Sequence, residues 1–316
     1  MNSNPTLPHF NRSKQGIPFL QQGLTLVELL VSIVLMSLVT LATVSLYGVI
    51  NSSYKTVDAG QQMNDNARYA FETIGQALRI AGYQEYLPSG TDSAAPGGRI
   101  YPASCISSAP PCPVIGFNNS KVTSISNVDS FGATNNGGVN LSDTLGVTYS
   151  GSSVPSDPLQ PDGSVIDCQG VSQPSSQSAS DLGVSLFWVT TTNNEPELAC
   201  VSRGTTRNSQ TVIRGVETFQ VMYGVDTNGD SLPNRWVSAQ DVANWMTVRA
   251  VRVGFVLRGP PGSSQGTAIA AADNVLYPLG KEFVGASTET GLSFTPPVDG
   301  RLRRAYATTF MLRNSF

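Results

Sequence analysis

The chain has 316 residues, of which 40% are hydrophobic and 13% charged, so it can enclose a sizeable core. Its formal net charge is −3 and no cluster of Lys and Arg follows the first segment, so nucleic acid is not an expected partner. His9 is the sole histidine. If the segment that carries it is removed, the protein has no Ser–His or Cys–His pair and no histidine ligand for a metal.

The first predicted element is an apolar run over residues 24–50, whose single charged residue is Glu28. At about 1.5 Å per residue, a helix of this length can cross a bilayer. Arg12 and Lys14 precede the run, which places the N-terminus in the cytoplasm and the remainder outside. An ordinary secretory signal has its small cleavage-site residue after the apolar run, whereas Gly23 comes before it. Cleavage at Gly23 would leave the whole apolar segment on the mature protein.

The helix is predicted to continue, because no proline occurs between Pro18 and Pro88. Over residues 51–82, small and apolar residues recur at steps of three and four, as in an amphipathic helix. They are Met63, Ala67, Ala70, Phe71, Ile74, Ala77, Leu78 and Ala81. Gly82 is well placed to end the helix, so we predict one helix over residues 24–81.

The residues from Gly23 to Glu28, followed by the apolar run, resemble the type III signal of type IV prepilins and pseudopilins. In that family a membrane peptidase cuts after the glycine and N-methylates the new first residue. The resemblance therefore implies a leader peptide over residues 1–23 and an N-methylated Leu24, where the family more often has Phe. It also implies that Glu28 pairs with the new amine of an adjacent subunit during assembly, because an unpaired carboxylate in hydrocarbon is costly. The alternative is that Glu28 reaches the headgroup interface.

Residues 83–316 are predicted to form an exported globular headpiece. Its first part, 88–180, is rich in Ser, Gly, Asn and Pro, which is typical of long surface loops. Strand signals occur at 144–150, 183–192, 197–203, 211–226, 248–258 and 303–313. Residues 238–246 suit a short helix with Ser238 as its N-cap. A long helix followed by antiparallel strands is an α+β fold, in which the apolar stripe of the helix covers a sheet.

Four cysteines lie in the predicted headpiece: Cys105, Cys112, Cys168 and Cys200. An even number in an exported chain favours disulfide bonds, and four cysteines allow three connectivities. We favour bonds between sequence neighbours, Cys105–Cys112 and Cys168–Cys200, with buried free thiols as the alternative. A zinc site is disfavoured, since there is no CxxC spacing.

Several headpiece segments resemble the PilW-type minor pilins. They are 142–151, 167–170, 198–204, 213–230, 244–259 and 310–314. Cys168 and Cys200 lie in two of these segments, which strengthens their pairing with each other. The resemblance implies a type IV pilin-like fold and a structural role in pilus assembly.

One loop offers a candidate metal site. Asp226, Asn228 and Asp230 place side-chain oxygens at alternating positions, as calcium-binding loops do. The loop departs from an EF-hand, because Ser231 stands where the glycine belongs and Val237 where the bidentate glutamate belongs. The alternative is an Asn-Gly turn after a strand. Calcium is therefore the one candidate ligand, and no other cofactor is expected.

Two sets of side chains admit a structural or a binding interpretation. The aromatic set suits a core better than an exposed recognition surface and comprises Phe187, Trp188, Trp236 and Trp245. The basic set suits a solvated sheet face or salt bridges between subunits better than DNA binding and comprises Arg249, Arg252, Arg258, Arg301, Arg303 and Arg304. Neither HExxH, GxSxG nor a phosphate-binding glycine loop occurs, so we expect no enzymatic activity.

The sequence thus favours a minor pilin that primes or caps a type IV pilus and acts in pilus biogenesis and twitching motility. Adhesion and DNA uptake are further roles that the resemblance implies. We expect a single-pass protein of the inner membrane with a periplasmic headpiece, which enters the pilus after processing. Expected partners are the prepilin peptidase, the inner-membrane assembly machinery, and other minor and major pilins. The alternatives are a J-type pseudopilin of type II secretion and a ligand-binding tip adhesin.

Overall fold

The structure is a computed structural model, and it divides the chain into two units, residues 1–51 and 52–316. The residues that it describes are 23, 25–84, 100–102, 104–106, 112–122, 134–203, 208–264, 274–285 and 290–314.

One helix, α1, runs from Leu26 to Ile80, close to the predicted bounds of 24 and 81. Its residues in the first unit carry the apolar run, and all residues from 25 to 50 are exposed. Hydroxyl groups in this part donate to carbonyl oxygens one turn earlier, as Thr40 Oγ1 does to Met36 O over 2.9 Å. Because these bonds satisfy the hydroxyl donors within the helix itself, the Ser and Thr side chains can lie in an apolar environment.

The part of α1 in the second unit has a buried stripe of small and apolar residues. Its members are Ala59, Gly60, Met63, Ala67, Ala70, Ile74, Gly75, Ala77 and Leu78. The predicted stripe is thus confirmed and is widened by two glycines and Ala59. The helix ends before Gly82, which has φ of +69° and donates its N–H to Thr148 O over 2.9 Å. A left-handed residue directly after a helix is the expected use of glycine there.

In the described part of the chain, thirteen strands follow the helix. They are β1 (Val114–Phe117), β2 (Ser120–Val122), β3 (Thr134–Asn136), β4 (Thr144–Tyr149), β5 (Ser153–Val154), β6 (Asp157–Pro161), β7 (Gly183–Thr192), β8 (Glu195–Ser202), β9 (Gln210–Arg214), β10 (Val216–Val225), β11 (Arg235–Val237), β12 (Val248–Arg258) and β13 (Arg303–Met311).

The strands form two main sheets, a five-stranded sheet in the order β1-β4-β7-β8-β9 and a four-stranded sheet in the order β11-β10-β12-β13. The pairs β2–β3 and β5–β6 form small sheets of their own, and all these pairings are antiparallel. The α+β prediction is confirmed, with two sheets in place of the single sheet that it assumed. The predicted strand over 211–226 is divided at Gly215, whose φ is +81°, into β9 and β10.

The second-unit part of α1 packs against the four-stranded sheet. The rings of Phe71 on α1 and Phe255 on β12 have centroids 4.7 Å apart. A Cβ atom at Gly75 would lie 2.7 Å from the ring of Phe310 on β13, so this close approach depends on glycine. The sheet therefore covers the buried stripe of the helix, as the amphipathic pattern predicts.

One local prediction was wrong. Residues 238–246 are not one helix but contain a 3₁₀ turn over Ala239–Asp241, and a second 3₁₀ turn covers Trp245–Thr247. Ser238 Oγ donates to the carboxylate of Asp241 and caps no backbone N–H. In the loop-rich region 88–180, β4 matches the strand predicted at 144–150, whereas β1, β2, β3, β5 and β6 were not predicted. Most of these strands have two to five residues, which is too short to show an alternating pattern.

Candidate processing and assembly site

The first turn of α1 is fixed by a reciprocal pair of side chains. Glu28 Oε2 accepts hydrogen bonds from the backbone N–H and the hydroxyl of Thr25, both over 3.0 Å. Glu28 in turn donates its backbone N–H to Thr25 Oγ1 over 3.3 Å. This is a capping box, in which two N–H groups at the helix start gain partners from side chains three residues apart. The carboxylate thus has a role inside its own chain.

The residues of the predicted cleavage site lie just before this turn. Gly23 is exposed, and a Cβ atom built there would meet no atom within 4 Å. Leu24 and residues 1–22 lie outside the described residues, so cleavage and N-methylation stay predictions. The pairing of Glu28 with an amine of another subunit also stays a prediction. Sequence reasoning missed the capping box, although its signal, Thr25 followed three residues later by Glu28, is present.

The helix surface after the capping box is apolar on every side. Its large hydrophobic residues range in exposure from 51% at Leu29 to 74% at Leu26. The most apolar stretch of α1 has a mean hydropathy of 2.4, and α1 is long enough to cross a membrane. An exposed apolar surface of this size indicates contact with lipid or with other protein chains.

The cysteines form two disulfide bonds, Cys105–Cys112 and Cys168–Cys200, which are the pairs favoured above. The backbone N–H of Trp245 donates to Cys105 O, and the backbone N–H of Cys105 donates to the side-chain oxygen of Asn244, both over 2.9 Å. The shorter disulfide loop is thereby attached to the turn that precedes β12. These contacts indicate a structural role for the cysteines.

Asp226, in the turn between β10 and β11, uses both carboxylate oxygens within the protein. They accept the backbone N–H groups of Asn228, Gly229 and Ser231 over 2.7–3.1 Å. Arg249 Nε lies 3.5 Å from Asp226 Oδ2. Burial raises the pKa of Asp226, but the three N–H donors and the Arg249 charge outweigh it and hold the pKa below its ordinary value. A calcium ion at Asp226 would have to displace these donors.

The other two members of the candidate calcium set bind each other. Asn228 Nδ2 donates to Asp230 Oδ2 over 3.0 Å, and Asp230 Oδ1 accepts the N–H of Leu232 over 2.8 Å. Within the described ranges, no group of three or more His, Cys, Asp and Glu residues is arranged for a metal ion. The geometry is that of a hydrogen-bonded turn, and calcium binding stays a prediction that these contacts do not support.

The aromatic set belongs mainly to the core, as expected. Phe187, Trp188 and Trp245 are buried, and the ring of Trp245 lies edge-on to Tyr223 with centroids 4.8 Å apart. Trp236 is partly buried and contacts the ring of Phe283.

Five of the six arginines of the basic set face carboxylates of their own chain instead of forming a solvated face, and salt bridges between subunits stay a prediction. Arg258 pairs with Glu195 over 2.7 Å and with Glu217 over 3.6 Å. Arg303 pairs with Glu217 and with Asp299, each over 2.6 Å. Carboxylates of the same chain also face Arg249, Arg252 and Arg301. Five of the six positive charges are thus balanced inside the headpiece, whereas Arg304 is exposed and donates to Asn64 Oδ1.

Two family models match the chain. Residues 19–44 match the prokaryotic N-terminal methylation motif. Residues 186–314 match type IV pilus-assembly protein W, abbreviated PilW. Among solved structures, the chain is similar to a type IV-like pilin from Thermus thermophilus at 12% identity, over 80% of this chain and 98% of that one. The TM-score of 0.39 is too low to support an argument. The comparison with curated proteins finds no match.

The chain is thus similar to N-terminally methylated prepilins over the start of its apolar helix, which antiparallel sheets follow. The second match covers most of β7 and all of β8 to β13. Over these strands the chain is similar to PilW.

Proposed function

We propose that the chain is cut after Gly23, N-methylated at Leu24, and then primes or caps a type IV pilus. The observation that carries this proposal is the apolar helix surface over residues 25–50, which is exposed throughout and begins within a methylation motif. Lipid covers this surface before assembly, and the equivalent helices of other pilins cover it in the filament. Because both lipid and the helices of other pilins are apolar, the helix can move from one to the other without a change in its own structure.

Glu28 has two successive roles in this proposal. Before assembly its carboxylate completes the capping box with Thr25, which satisfies polar groups at the helix start. After cleavage, the amine of Leu24 on an adjacent subunit becomes its charged partner. The support for the second role is the family resemblance and the cost of a carboxylate without a charged partner in hydrocarbon.

The proposed location before assembly is the inner membrane, with the headpiece in the periplasm, and the pilus is the location afterwards. The partners are the prepilin peptidase, the inner-membrane assembly machinery, and the other minor and major pilins. The activity is structural, without catalysis, and it contributes to pilus biogenesis and twitching motility.

The test of processing is the intact mass of the chain from cells with and without prepilin peptidase. We expect the mature chain to start at Leu24 and to carry one additional methyl group, and we expect the full precursor when the peptidase is absent. An unchanged mass in the two strains would overturn the proposal.

The test of the pilus role is deletion of the gene, followed by counts of surface pili, twitching assays and measurement of secreted proteins. Loss of pili and twitching with normal secretion supports the minor pilin. Normal pili with impaired secretion would overturn it in favour of a J-type pseudopilin.

The two roles of Glu28 are separated by two matched variants. Glu28→Gln keeps an acceptor for the capping box but removes the charge. Thr25→Ala removes the capping hydroxyl but keeps the charge. We expect Glu28→Gln to insert normally and to be lost from purified pili, and Thr25→Ala to remain in them. Normal incorporation of Glu28→Gln would contradict the proposed charge pairing.

A further inference from the structure

One edge of the four-stranded sheet is long and regular. It is formed by β13 (Arg303–Met311), which pairs with β12 over nine residues without a shift in register. At the two ends of this pairing, the backbone N–H of Leu312 donates to Arg249 O, and that of Gly259 donates to Leu302 O. Backbone groups alternate in direction along a strand, so the even-numbered residues of β13 bond to β12 and the odd-numbered residues point outward.

The outward backbone groups belong to exposed residues. They are Ala305, Ala307, Thr309 and Met311. Within the described part of the chain, none of their N–H and C=O groups has a backbone partner. Each residue presents one donor and one acceptor, in the spacing of an extended strand. The group that matches this arrangement is the backbone of another strand, which would extend the sheet.

The other described edges of the two main sheets are protected against such pairing. β1 has four residues and β11 three. β9 has five, and its pairing with β8 has a register shift between Leu198 and Ala199. Short strands, bulges, prolines and charges are the usual means by which an edge avoids another chain. Between residues 305 and 311, β13 has no register shift, no proline and no charged residue. The open edge is therefore a particular feature of β13.

The edge is fixed in place by contacts at both ends. At its start, Arg303 forms a salt bridge with Glu217 over 2.6 Å. Just after its end, Asn314 Nδ2 donates to Ala81 O over 3.2 Å. A strand that is already ordered loses little conformational entropy when a partner binds, so β13 is preorganised for pairing.

A positive charge at the start of β13 restricts the partner. Arg304 is exposed and donates to the neutral Asn64 Oδ1 over 3.3 Å, and no carboxylate of the described ranges pairs with it. A strand with Asp or Glu opposite Arg304 would provide one. A second copy of β13 would not, because residues 303–311 include two arginines and no acid. The charge therefore favours a different chain over self-pairing.

We propose that β13 binds an extended segment of a different polypeptide chain, which adds a fifth strand to the four-stranded sheet. The backbone of that segment bonds to the four outward residues of β13, and an acidic side chain near one end pairs with Arg304. A second copy of this chain is the competing occupant. The inference goes beyond the proposed function, because it concerns a surface of the second unit and requires neither cleavage after Gly23 nor N-methylation.

The binding experiment uses the full chain in phospholipid nanodiscs. The probe is a fluorescent peptide as long as β13, in which threonine and valine alternate and one glutamate lies opposite Arg304 in the antiparallel register. A matched peptide has lysine in place of that glutamate. Fluorescence anisotropy measures affinity, and hydrogen exchange resolved to single residues measures the protection of β13.

The glutamate peptide should bind about fivefold more tightly than the lysine peptide, since only the glutamate attracts Arg304. It should also slow hydrogen exchange at the outward N–H groups of β13. Absence of binding by the glutamate peptide, or binding that leaves these N–H groups unprotected, would overturn the proposal.

Two changes at Ala307 test the backbone contact. Ala307→Pro removes an N–H that points away from β12, so no bond between the two strands is lost and thermal unfolding should change little. Peptide affinity should fall at least about tenfold, because a donor is lost and the ring obstructs the incoming strand. Ala307→Val is the matched control, which keeps the N–H and suits a strand. Equal affinity of the two variants would overturn the proposal, because the peptide would then bind elsewhere.

A change at Arg304 tests the charge contact without altering the buried part of the protein. Arg304→Glu, at an exposed side chain, should reverse the preference, so that the lysine peptide binds more tightly than the glutamate peptide. An unchanged preference would overturn the proposed pairing with an acid.

Hydrogen exchange without peptide tests the competing occupant. We expect the outward N–H groups of β13 to exchange at the same rate at all protein concentrations. Protection that increases with protein concentration would overturn the proposal in favour of pairing between two copies. None of these results bears on the mass of the processed chain, so the failure of this inference is distinguishable from the failure of the proposed function.

Discussion

The two parts of α1 share one backbone conformation and differ in what covers them. Residues 26–50 present large apolar side chains on all sides, and all of these side chains are exposed. Residues 52–80 have one buried stripe in which alanine and glycine predominate. A helix with large apolar residues on every side needs an apolar environment that the chain itself does not provide. Small residues along one side of a helix allow a sheet of the same chain to pack closely against it.

The close approach in the second part has a specific basis. Gly75 admits the ring of Phe310, and Tyr306 donates its hydroxyl to Asn64 Oδ1 over 2.7 Å. Both contacts come from β13, and a larger side chain at Gly75 would prevent the first. The first part of the helix therefore has no cover from the described part of the chain, whereas the second packs against β13. Three predictions test this difference in order of expected effect.

The largest effect is expected from truncation of the buried stripe. Ile74 is 0% exposed, so Ile74→Ala should lower the free energy of unfolding by about 4 kcal/mol through lost burial and a residual cavity. The matched control is Ile33→Ala, at a residue 57% exposed, which should leave headpiece unfolding unchanged. Urea denaturation followed by tryptophan fluorescence measures both. Equal effects of the two variants would contradict the distinction.

The second effect concerns the disulfides, which act only on the second unit. Loss of Cys168–Cys200 by the double change to serine should cost about 3.5 kcal/mol, and loss of Cys105–Cys112 about 2.5 kcal/mol. The difference follows from loop length, since the sequence separations are 32 and 7. Thermal unfolding ranks the variants. A larger loss from the shorter loop would show that strain or local packing outweighs loop entropy.

The smallest effect is a pH dependence from Asp299. Its hydrogen bonds with Arg303 lower the pKa of the carboxyl to about 2, against the opposing effect of burial. Because the folded-state pKa is depressed, this stabilisation is present above about pH 4 and is lost as the pH falls towards 2. We expect about 1–2 kcal/mol, reduced by solvent screening of a partly exposed pair. In Asp299→Asn the unfolding free energy should depend less on pH over this range. The same pH dependence in the variant and the parent would contradict the assignment of the effect to Asp299.

The sequence predicted the elements whose patterns repeat over many residues. α1, β7 and β12 have bounds at or near the predicted ones, because ten or more residues give a clear hydrophobic pattern. Short elements such as β1 and β2 give no such pattern and were missed. The predicted helix over 238–246 failed because only two short turns form there.

The contacts of charged residues could not be predicted, because their partners are far apart in the chain. Arg303 and Glu217 are 86 residues apart and meet only when β10, β12 and β13 pair. Asn118 Oδ1 likewise accepts the backbone N–H of Ala239, 121 residues away. By contrast, the capping box lies within four residues and could have been read directly from the sequence. A motif within a few residues can be recognised in the sequence, whereas contacts between distant residues can be identified only once the fold is known.

The most direct test of the central claim is photo-crosslinking from Leu35, an exposed residue of the apolar part of α1. A photoreactive amino acid at this position should form adducts with other pilins in piliated cells. The same substitution should give no pilin adducts in cells without prepilin peptidase, where lipid still covers the helix. Absence of adducts in piliated cells, or equal adducts in both strains, would contradict the claim that residues 24–50 exchange lipid for other pilin subunits.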